Sequence, residues 1–317
     1  MSCRDRRDAT PPCDRRGSTD QPTQSSRDSR LMTKVQTSNT VIRVGLIGAG
    51  IQPSRSPRLH EAEARAAGLC YVYQLIDLER LGVGVEALPR LLDTAQAEGF
   101  AGLNITYPCK QAIIPLLDEL SEDAAAIGAV NTVVFAEGQR IGHNTDGWGF
   151  AENFKRGMNG VAVDRVVLLG AGGAGAAIAH AALKLGAGRL AIYDCDRSRA
   201  QALSQQMTHT FGAGRAISLE DLTAEMAVAD GLIQATPIGM LSHPGLPLPI
   251  ELLRPTQWVA EIVYYPLETE LLRHARALGC CTLDGGGMAV FQAVEAFRLF
   301  TGITPDHERM LHHFARM

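Results

Sequence analysis

The chain has 317 residues, of which 46% are hydrophobic and 20% charged, and its formal net charge at pH 7 is −4. This size and composition are typical of a globular protein with room for two cores, and the small negative charge gives no reason to expect a nucleic acid or a membrane as partner. The seven cysteines include no C-x-x-C spacing, so we expect reduced thiols and a cytoplasmic location.

Residues 1–40 differ in composition from the rest of the chain. They are rich in Arg, Ser, Asp, Thr and Pro, and their eight basic and five acidic side chains give a net charge of +3. Because their few apolar residues cannot offset the entropy of ordering, we predict a disordered tail. A basic interaction arm is the alternative, and Met32 also has the features of a starting residue.

From residue 41 onward, predicted strands and helices alternate, which favours α/β layers built on parallel strands. The first series contains strands at 41–47, 72–75 and 102–105 and helices at 57–67, 88–98 and 111–117. A glycine-rich turn follows the first strand, but Gln52 and Pro53 stand where a phosphate-binding helix would begin. Ser54 and Ser56 come next. Their two hydroxyls can hold a carboxylate together, although such a pair is also typical of a helix N-cap.

The second series begins with the spacing G-x-G-x-x-G at Gly170, Gly172 and Gly175. Its predicted elements are strands at 166–169, 190–193, 229–235, 258–263 and 281–283 and helices at 176–183, 288–300 and 307–316. This part of the chain has the order of a dinucleotide-binding βαβ unit: a strand, the glycines, a helix, a second strand and then Asp194. Glycines there let a pyrophosphate approach a helix N terminus, and the acid binds ribose hydroxyls. An ordinary strand–helix joint rich in Gly and Ala is the alternative.

Several short motifs accompany the βαβ unit in one order along the chain. They are Ser54-Arg55-Ser56-Pro57, Asn104-Ile105-Thr106-Tyr107-Pro108-Cys109-Lys110, Gly128-Ala129-Val130-Asn131-Thr132, Asn144-Thr145-Asp146-Gly147, Ala235-Thr236-Pro237-Ile238-Gly239-Met240, Val263-Tyr264-Tyr265-Pro266 and Met288-Ala289-Val290-Phe291-Gln292-Ala293. This set resembles the shikimate dehydrogenase family from residue 44 to about residue 300. The acid at position 194 makes the NAD-dependent quinate/shikimate dehydrogenases the most similar branch.

The resemblance implies oxidation of a cyclohexene polyol at one ring carbinol, with hydride transfer to C4 of a nicotinamide. It implies that Lys110 and Asp146 are the catalytic pair. The substrate ligands it implies are Ser54 and Ser56 at the carboxylate, Tyr264 nearby, and Thr106, Asn131 and Gln292 at the ring hydroxyls. The cofactor ligands it implies are Gly170, Gly172, Gly173, Ala174, Asp194, Thr236, Pro237, Met240 and Gly287. The histidines show no ligand spacing, so we expect no metal site.

The catalytic pair also makes chemical sense. Oxidation of an alcohol requires removal of the hydroxyl proton as the hydride leaves, so a base must lie within hydrogen-bonding reach of the carbinol. A lysine is such a base only where burial and a nearby positive charge, here an oxidised nicotinamide, lower its pKa, and a neighbouring carboxylate opposes that change. Whether Lys110 takes up the proton or polarises the oxygen therefore stays open, while Asp146 is expected to orient both groups.

The residues after the second strand of the βαβ unit bear on the choice of coenzyme. NADP-dependent relatives carry Asn-Arg-Thr there, and that arginine binds the 2′-phosphate. This chain has Asp194 and Cys195 instead, and a carboxylate repels a phosphate without offering it a donor. We therefore expect NAD rather than NADP, although Arg197 and Arg199 are close enough in sequence to reach a phosphate.

These observations predict an α/β protein of two domains. We expect a substrate-binding domain over 41–143, completed by 288–317, and a Rossmann-like, doubly wound NAD-binding domain over 144–287. The expected reaction interconverts shikimate and 3-dehydroshikimate, with quinate as second substrate. A dehydrogenase of an amino-substituted or otherwise modified shikimate, and a metabolite- or NAD-sensing homologue without turnover, are the alternatives. The expected partner is a small molecule, neither nucleic acid nor membrane, and a homodimer is left open.

Overall fold

The computed structural model describes residues 40–317, so the predicted tail lies outside the described residues except for its last position. The strands are β1 (Ile42–Gly48), β2 (Tyr71–Asp77), β3 (Phe100–Ile105), β4 (Glu119–Leu120), β5 (Thr132–Ala136), β6 (Gln139–His143), β7 (Arg165–Leu169), β8 (Arg189–Tyr193), β9 (Ala216–Ser218), β10 (Gly231–Gln234), β11 (Trp258–Glu261) and β12 (Cys281–Leu283). The α-helices are α1 (Ser56–Ala66), α2 (Leu78–Leu81), α3 (Leu88–Ala97), α4 (Cys109–Ala112), α5 (Glu122–Ile127), α6 (Thr145–Gly157), α7 (Gly173–Lys184), α8 (Arg197–Phe211), α9 (Thr223–Met226), α10 (Glu270–Leu278), α11 (Gly286–Thr301) and α12 (His307–Phe314).

The second half of the described chain forms a parallel sheet of six strands in the order β12-β11-β10-β7-β8-β9. Successive residues of β7 point to opposite faces, and both faces are covered: Val166 and Leu168 belong to one buried cluster, and Val167 and Leu169 to another. The chain reverses its direction of winding between β7 and β10, which is where doubly wound sheets bind ligands. The predicted fold class is confirmed.

The first half forms a mixed sheet in the order β2-β1-β3-β5-β6-β4. Strands β1, β2 and β3 are parallel, whereas β5 runs antiparallel to β3 and to β6. Helix α11 returns to this sheet, since Ala296 and Phe300 share a buried cluster with Val44 and Leu46 of β1. The two sheets lie within 42–143 and 165–283, while the domain boundaries proposed above stay a prediction.

Several elements of the structure were not predicted, helices α5, α6, α8 and α10 among them, and two further regions also differ. The helix expected over 111–117 is broken into α4 and a 3₁₀ turn at Ile114–Leu116, because Pro115 lacks an N–H and its ring excludes a continuous helix. The hairpin of β5 and β6 was not predicted. Its turn places Glu137 and Gly138 at positive φ, and no Asn-Gly or Asp-Gly signal marks it in the sequence.

Within residues 40–317, no helix is both long and apolar enough to cross a bilayer. The five cysteines of that region are all unpaired. The same residues contain no group of three or more His, Cys, Asp or Glu side chains placed to hold a metal ion.

Candidate active site

Lys110 and Asp146 meet although 36 residues separate them in sequence. The Lys110 Nζ donates a hydrogen bond to Asp146 Oδ2 at 2.6 Å, and the two side chains are 18% and 10% exposed. The pair is therefore shielded from bulk water but still open to a small molecule. The structure brings together the two residues that the sequence predicted to be the catalytic pair.

The backbone around Lys110 is fixed by strands on either side. The chain leaves β3, and Thr106 N donates to Ile47 O at 2.9 Å, which holds the turn against the end of β1. Gly48 makes this contact possible, because a Cβ there would lie 2.3 Å from Thr106 Cγ2. Lys110 O then accepts from Val130 N at 2.9 Å. Thr106 and Lys110 thus stand at the carboxyl edge of the first sheet.

Asp146 is held by the N terminus of α6. The Asn144 side chain caps this helix by accepting from the backbone N–H groups of Asp146 and Gly147. Asn131, which is 4% exposed, accepts from Thr145 N at 2.7 Å and donates from its amide to Thr145 Oγ1 at 2.9 Å. Asn131 therefore braces the turn that carries Asp146, and one of its amide hydrogens remains for another acceptor.

The glycine loop of the second sheet touches the Lys110 side chain. Gly173 begins α7, and a Cβ placed on it would lie 3.5 Å from Lys110 Cδ. Gly170 has φ +99°, and a Cβ there would lie 2.7 Å from Ala235 O, so no larger residue fits. Around Gly172, in contrast, no described atom lies within 4 Å of such a Cβ. The loop is packed at Gly170 and open at Gly172, and Ala174 is the second residue of α7.

Asp194 ties the end of β8 to the glycine loop. Its Oδ2 accepts from Ala171 N at 2.7 Å, and its Oδ1 accepts from Asp196 N at 2.9 Å. An ionised carboxylate has about four acceptor positions. Asp194 can therefore still accept bonds from a ligand beside the glycine loop.

The loop after β10 is organised by Gln234, which is fully buried. Its Nε2 donates to Thr236 Oγ1 at 2.8 Å and to Ile238 O at 2.7 Å, and its Oε1 accepts from Thr236 N. Thr236 consequently faces the glycine loop, where its Cγ2 lies 3.1 Å from the Cβ position of Gly170. Pro237 follows in the same turn, and Met240 N closes it by donating to Pro237 O at 3.1 Å.

The two serines lie at the start of α1. Ser54 Oγ accepts from Ser56 N at 3.3 Å, and Ser54 N donates to Ile51 O at 3.0 Å. Burial raises the pKa of Tyr73, and a hydrogen bond from the Ser56 side chain opposes that rise. The Tyr73 hydroxyl donates to Asn104 Oδ1 at 2.9 Å. Asn104 Nδ2 in turn donates to Asn131 O at 3.4 Å, so a row of buried hydrogen-bonded groups leads from Tyr73 to Asn131.

Tyr264 lies in the segment after β11. Tyr264 is 38% exposed, yet desolvation of its hydroxyl raises the pKa, the positive charge of Arg55 opposes that rise, and the negative charge of Asp146 adds to it. The Tyr264 hydroxyl is therefore within electrostatic reach of Arg55, which stands between the two serines in sequence, and of Asp146. This placement agrees with a position close to a substrate that spans the two.

Gln292 lies on α11, and its Nε2 donates to Ala289 O at 2.8 Å. Gly149 of α6 lets the two helices pack closely, since a Cβ there would lie 2.7 Å from Gln292 N. Gly287, in the first turn of α11, packs against Asn153, and a Cβ on it would overlap Asn153 Oδ1. Helix packing therefore accounts for the glycine at position 287 without a ligand, and its assignment to the cofactor stays a prediction.

Sequence reasoning missed Gln234 and Arg55 as residues that shape the site. The signal at Gln234 was an amide at the last position of an otherwise apolar buried strand. Arg55 lies inside a motif that was recognised, but its surroundings come from residues more than 200 positions away. Such long-range contacts leave no mark on the local sequence.

Two family models match the chain: the shikimate dehydrogenase substrate binding domain at residues 46–133 and the shikimate 5′-dehydrogenase C-terminal domain at residues 285–312. A shikimate dehydrogenase (NADP(+)) of Streptomyces avermitilis is 60% identical over 276 residues, which are 86% of this chain and 95% of the relative. A quinate/shikimate dehydrogenase (NAD(+)) of Corynebacterium glutamicum is 48% identical over 279 residues, which are 87% of this chain and 99% of the relative.

Solved structures give the same result. Quinate dehydrogenase from Corynebacterium glutamicum in complex with NAD has a TM-score of 0.83 at 47% identity, covering 87% of this chain and 99% of that one. Shikimate 5-dehydrogenase from Thermus thermophilus in complex with NADP(H) and shikimate has a TM-score of 0.76 at 34% identity, with coverage of 87% and 99%.

The fold and the site define an oxidoreductase of the α/β, NAD(P)-dependent class. Identity of 48–60% over nearly the full length of these relatives identifies the particular group. The chain belongs to the shikimate dehydrogenase family. The resemblance inferred from the motifs is thereby confirmed, and the relatives include NAD and NADP enzymes alike.

Proposed function

We propose that this protein is an NAD-dependent dehydrogenase that interconverts shikimate and 3-dehydroshikimate and takes quinate as a second substrate. The observation that carries the proposal is the ion pair of Lys110 and Asp146, 2.6 Å apart, against Gly173 of the glycine loop. A proton-handling pair and a nucleotide-binding loop thus face one space. Hydride removal from an alcohol needs a proton acceptor and the hydride acceptor carried by the nucleotide within a few ångströms of the same carbinol.

The roles of the pair follow from its hydrogen bonding. The ammonium group of Lys110 has three N–H donors, and Asp146 takes one of them. The other two positions on Nζ are free to face a carbinol oxygen. When Lys110 has lost one proton to solvent, its neutral amine takes up the hydroxyl proton at Nζ as the hydride leaves, and the ammonium group so re-formed donates to the carbonyl oxygen of the product. Asp146, fixed by the capped start of α6, keeps the ammonium pointed at that oxygen and can orient the substrate hydroxyl.

The described residues fit a dinucleotide. Among residues 40–317, no side chain caps the N terminus of α7, so its first amides remain available to a pyrophosphate. The space beside Gly172 is open to it, and Asp194 retains acceptor positions for ribose hydroxyls. The oxidised nicotinamide supplies the hydride acceptor when bound. Thr236, Pro237 and Met240, on the turn ordered by Gln234, would line its nicotinamide side.

The surroundings of Asp194 support NAD over NADP. The two arginines that follow it are engaged with acids: Arg197 Nη1 lies 3.4 Å from Glu220 Oε2, and Arg199 Nε lies 3.3 Å from Asp196 Oδ2. A 2′-phosphate would therefore meet two carboxylates, those of Asp194 and Asp196. Both arginine–carboxylate ion pairs are exposed and therefore weak. The preference for NAD over NADP thus depends mainly on repulsion between the two carboxylates and the 2′-phosphate.

A panel of steady-state rates tests the proposal by crossing shikimate and quinate with NAD and NADP. We expect the highest kcat/KM for shikimate with NAD, and a lower but measurable value for quinate. Asp194→Ala should reduce the NAD-to-NADP ratio of kcat/KM at least about tenfold, because one charged hydrogen-bond acceptor accounts for that much. A higher kcat/KM with NADP in the unmodified protein, or an unchanged ratio in the variant, contradicts the coenzyme assignment.

A further inference from the structure

Arg55 is held between two aromatic rings from distant parts of the chain. Its guanidinium carbon lies 5.2 Å from the ring centroid of Tyr265, which follows β11, and 5.2 Å from that of Phe314, at the end of α12. Such stacking fixes the plane of the guanidinium while leaving the N–H groups at its edge free. The aromatic pair therefore orients Arg55 without satisfying its donors.

The charge of Arg55 has no visible partner. Within residues 40–317 its guanidinium forms neither an ion pair nor a hydrogen bond, whereas Arg140 and Arg189 each bind a carboxylate. Arg55 is half-buried, and a partly desolvated cation without an anion is unfavourable. An anionic group bound beside Arg55 would supply the missing counter-charge.

The position of Arg55 shows which part of a ligand would meet it. In sequence it lies between the two serines whose hydroxyls can hold a carboxylate. The Phe314 ring that stacks on its guanidinium lies 6.2 Å from the Tyr264 ring, centroid to centroid, and the charge of Arg55 acts on the Tyr264 hydroxyl. The Asp146 charge acts on the same hydroxyl, while Lys110 neutralises Asp146 directly. Arg55 is thus the unpaired cation at the serine end of the site, and Lys110 is the paired one at the reacting end.

We propose that Arg55 binds the carboxylate of the substrate as a charged ligand beside Ser54 and Ser56. This inference rests on the proposed function, because it takes shikimate, a carboxylate with ring hydroxyls, as the ligand. A guanidinium offers two parallel N–H donors to a carboxylate, which adds geometric specificity to the attraction of opposite charges. Arg55 would then fix which end of the ring faces away from Lys110.

The test compares shikimate with its uncharged methyl ester in wild type and in Arg55→Leu. Loss of a charge-assisted hydrogen bond should raise the KM for shikimate by about 10–100-fold, with kcat within about threefold. The KM for the ester should change less than about threefold, because the ester offers the guanidinium no charge. Arg65→Leu removes the same charge from the exposed far end of α1 and should leave both KM values unchanged.

Two results in Arg55→Leu would overturn the assignment. If the KM rises equally for shikimate and for its methyl ester, Arg55 has a structural role through Phe314 and Tyr265. If the KM rises for neither, Arg55 does not bind the carboxylate. If Arg55→Leu does not fold, Arg55→Lys keeps the charge but loses the fork of donors. It should raise the KM for shikimate several-fold and spare the ester, and an unchanged KM for shikimate counts against the inference. Failure of wild type to oxidise shikimate at all would instead refute the proposed function.

Discussion

Gly172→Ala should separate cofactor binding from stability. Gly172 has φ −80° and ψ −170°, which alanine adopts, and no described atom lies within 4 Å of the added Cβ. Alanine is a poorer N-cap than glycine, but it also reduces the entropy of the unfolded chain, so the two effects of about 0.5–1 kcal/mol nearly cancel. The methyl group would occupy the open space that we assign to the pyrophosphate, and loss of one or two charge-assisted hydrogen bonds weakens affinity about 100-fold.

Thermal unfolding with and without NAD measures both effects. At NAD about 100 times the wild-type Kd, linkage stabilises the wild type by about 2.7 kcal/mol, or roughly 5–10 °C in Tm. In Gly172→Ala the same concentration should give only about 0.4 kcal/mol, or roughly 1 °C. Gly170→Ala is the contrasting variant, since its positive φ and its contact with Ala235 O should lower Tm even without NAD. If NAD raises the Tm of Gly172→Ala as much as it raises that of wild type, the assignment of the space beside Gly172 to the pyrophosphate is refuted.

Two further predictions concern titratable groups. Lys110→Ala should lower kcat by about 10²–10⁴-fold with a smaller change in KM. The control is Lys155→Ala, which removes a lysine whose side chain is 58% exposed and should keep wild-type rates. Equal rates in both variants would remove Lys110 from the mechanism. Burial raises the pKa of Glu261 from 4.5 to about 7, so ionisation favours the unfolded chain as pH rises between these values. Glu261→Gln should therefore gain about 3 kcal/mol of unfolding free energy relative to wild type between pH 4.5 and 8, measured by urea denaturation, and a pH-independent difference would contradict the shift.

The nucleotide-binding sheet was largely predictable because its signals are local. An apolar strand, glycines at fixed spacing and an acid after the next strand all lie within the 29 residues from Val166 to Asp194. In the structure the Asp194 carboxylate accepts a hydrogen bond from Ala171 N of the glycine loop. Position 170 requires glycine because its φ is positive and because the carbonyl oxygen of Ala235 leaves no room for a Cβ. Local requirements of this kind leave a direct trace in the sequence.

The mixed sheet and the supports of the site were less predictable because they depend on distant contacts. Strands β5 and β6 include the polar and small residues Thr132, Arg140 and Gly142, so neither shows a clean alternation of apolar residues. The bracing of α6 by Asn131 joins two loops through side-chain amides and hydroxyls. The meeting of Lys110 with Asp146 was expected from a family resemblance, since spacing alone gives a surface lysine and a turn aspartate no reason to pair.

Helix α6 explains why the carboxylate of Asp146 is the fixed member of the pair. Gly147, one residue on, brings the helix backbone against α7, where a Cβ would lie 3.2 Å from Ala177 O, and Gly149 brings it against α11. With the Asn144 cap, these contacts hold the first turn of α6 on three sides. Lys110, in contrast, reaches the pair on a flexible four-carbon stem from a helix of four residues. A substrate hydroxyl that binds beside the pair would therefore shift the Lys110 side chain rather than the carboxylate. The geometry of the reacting centre is thus set by α6, and the lysine adjusts to it.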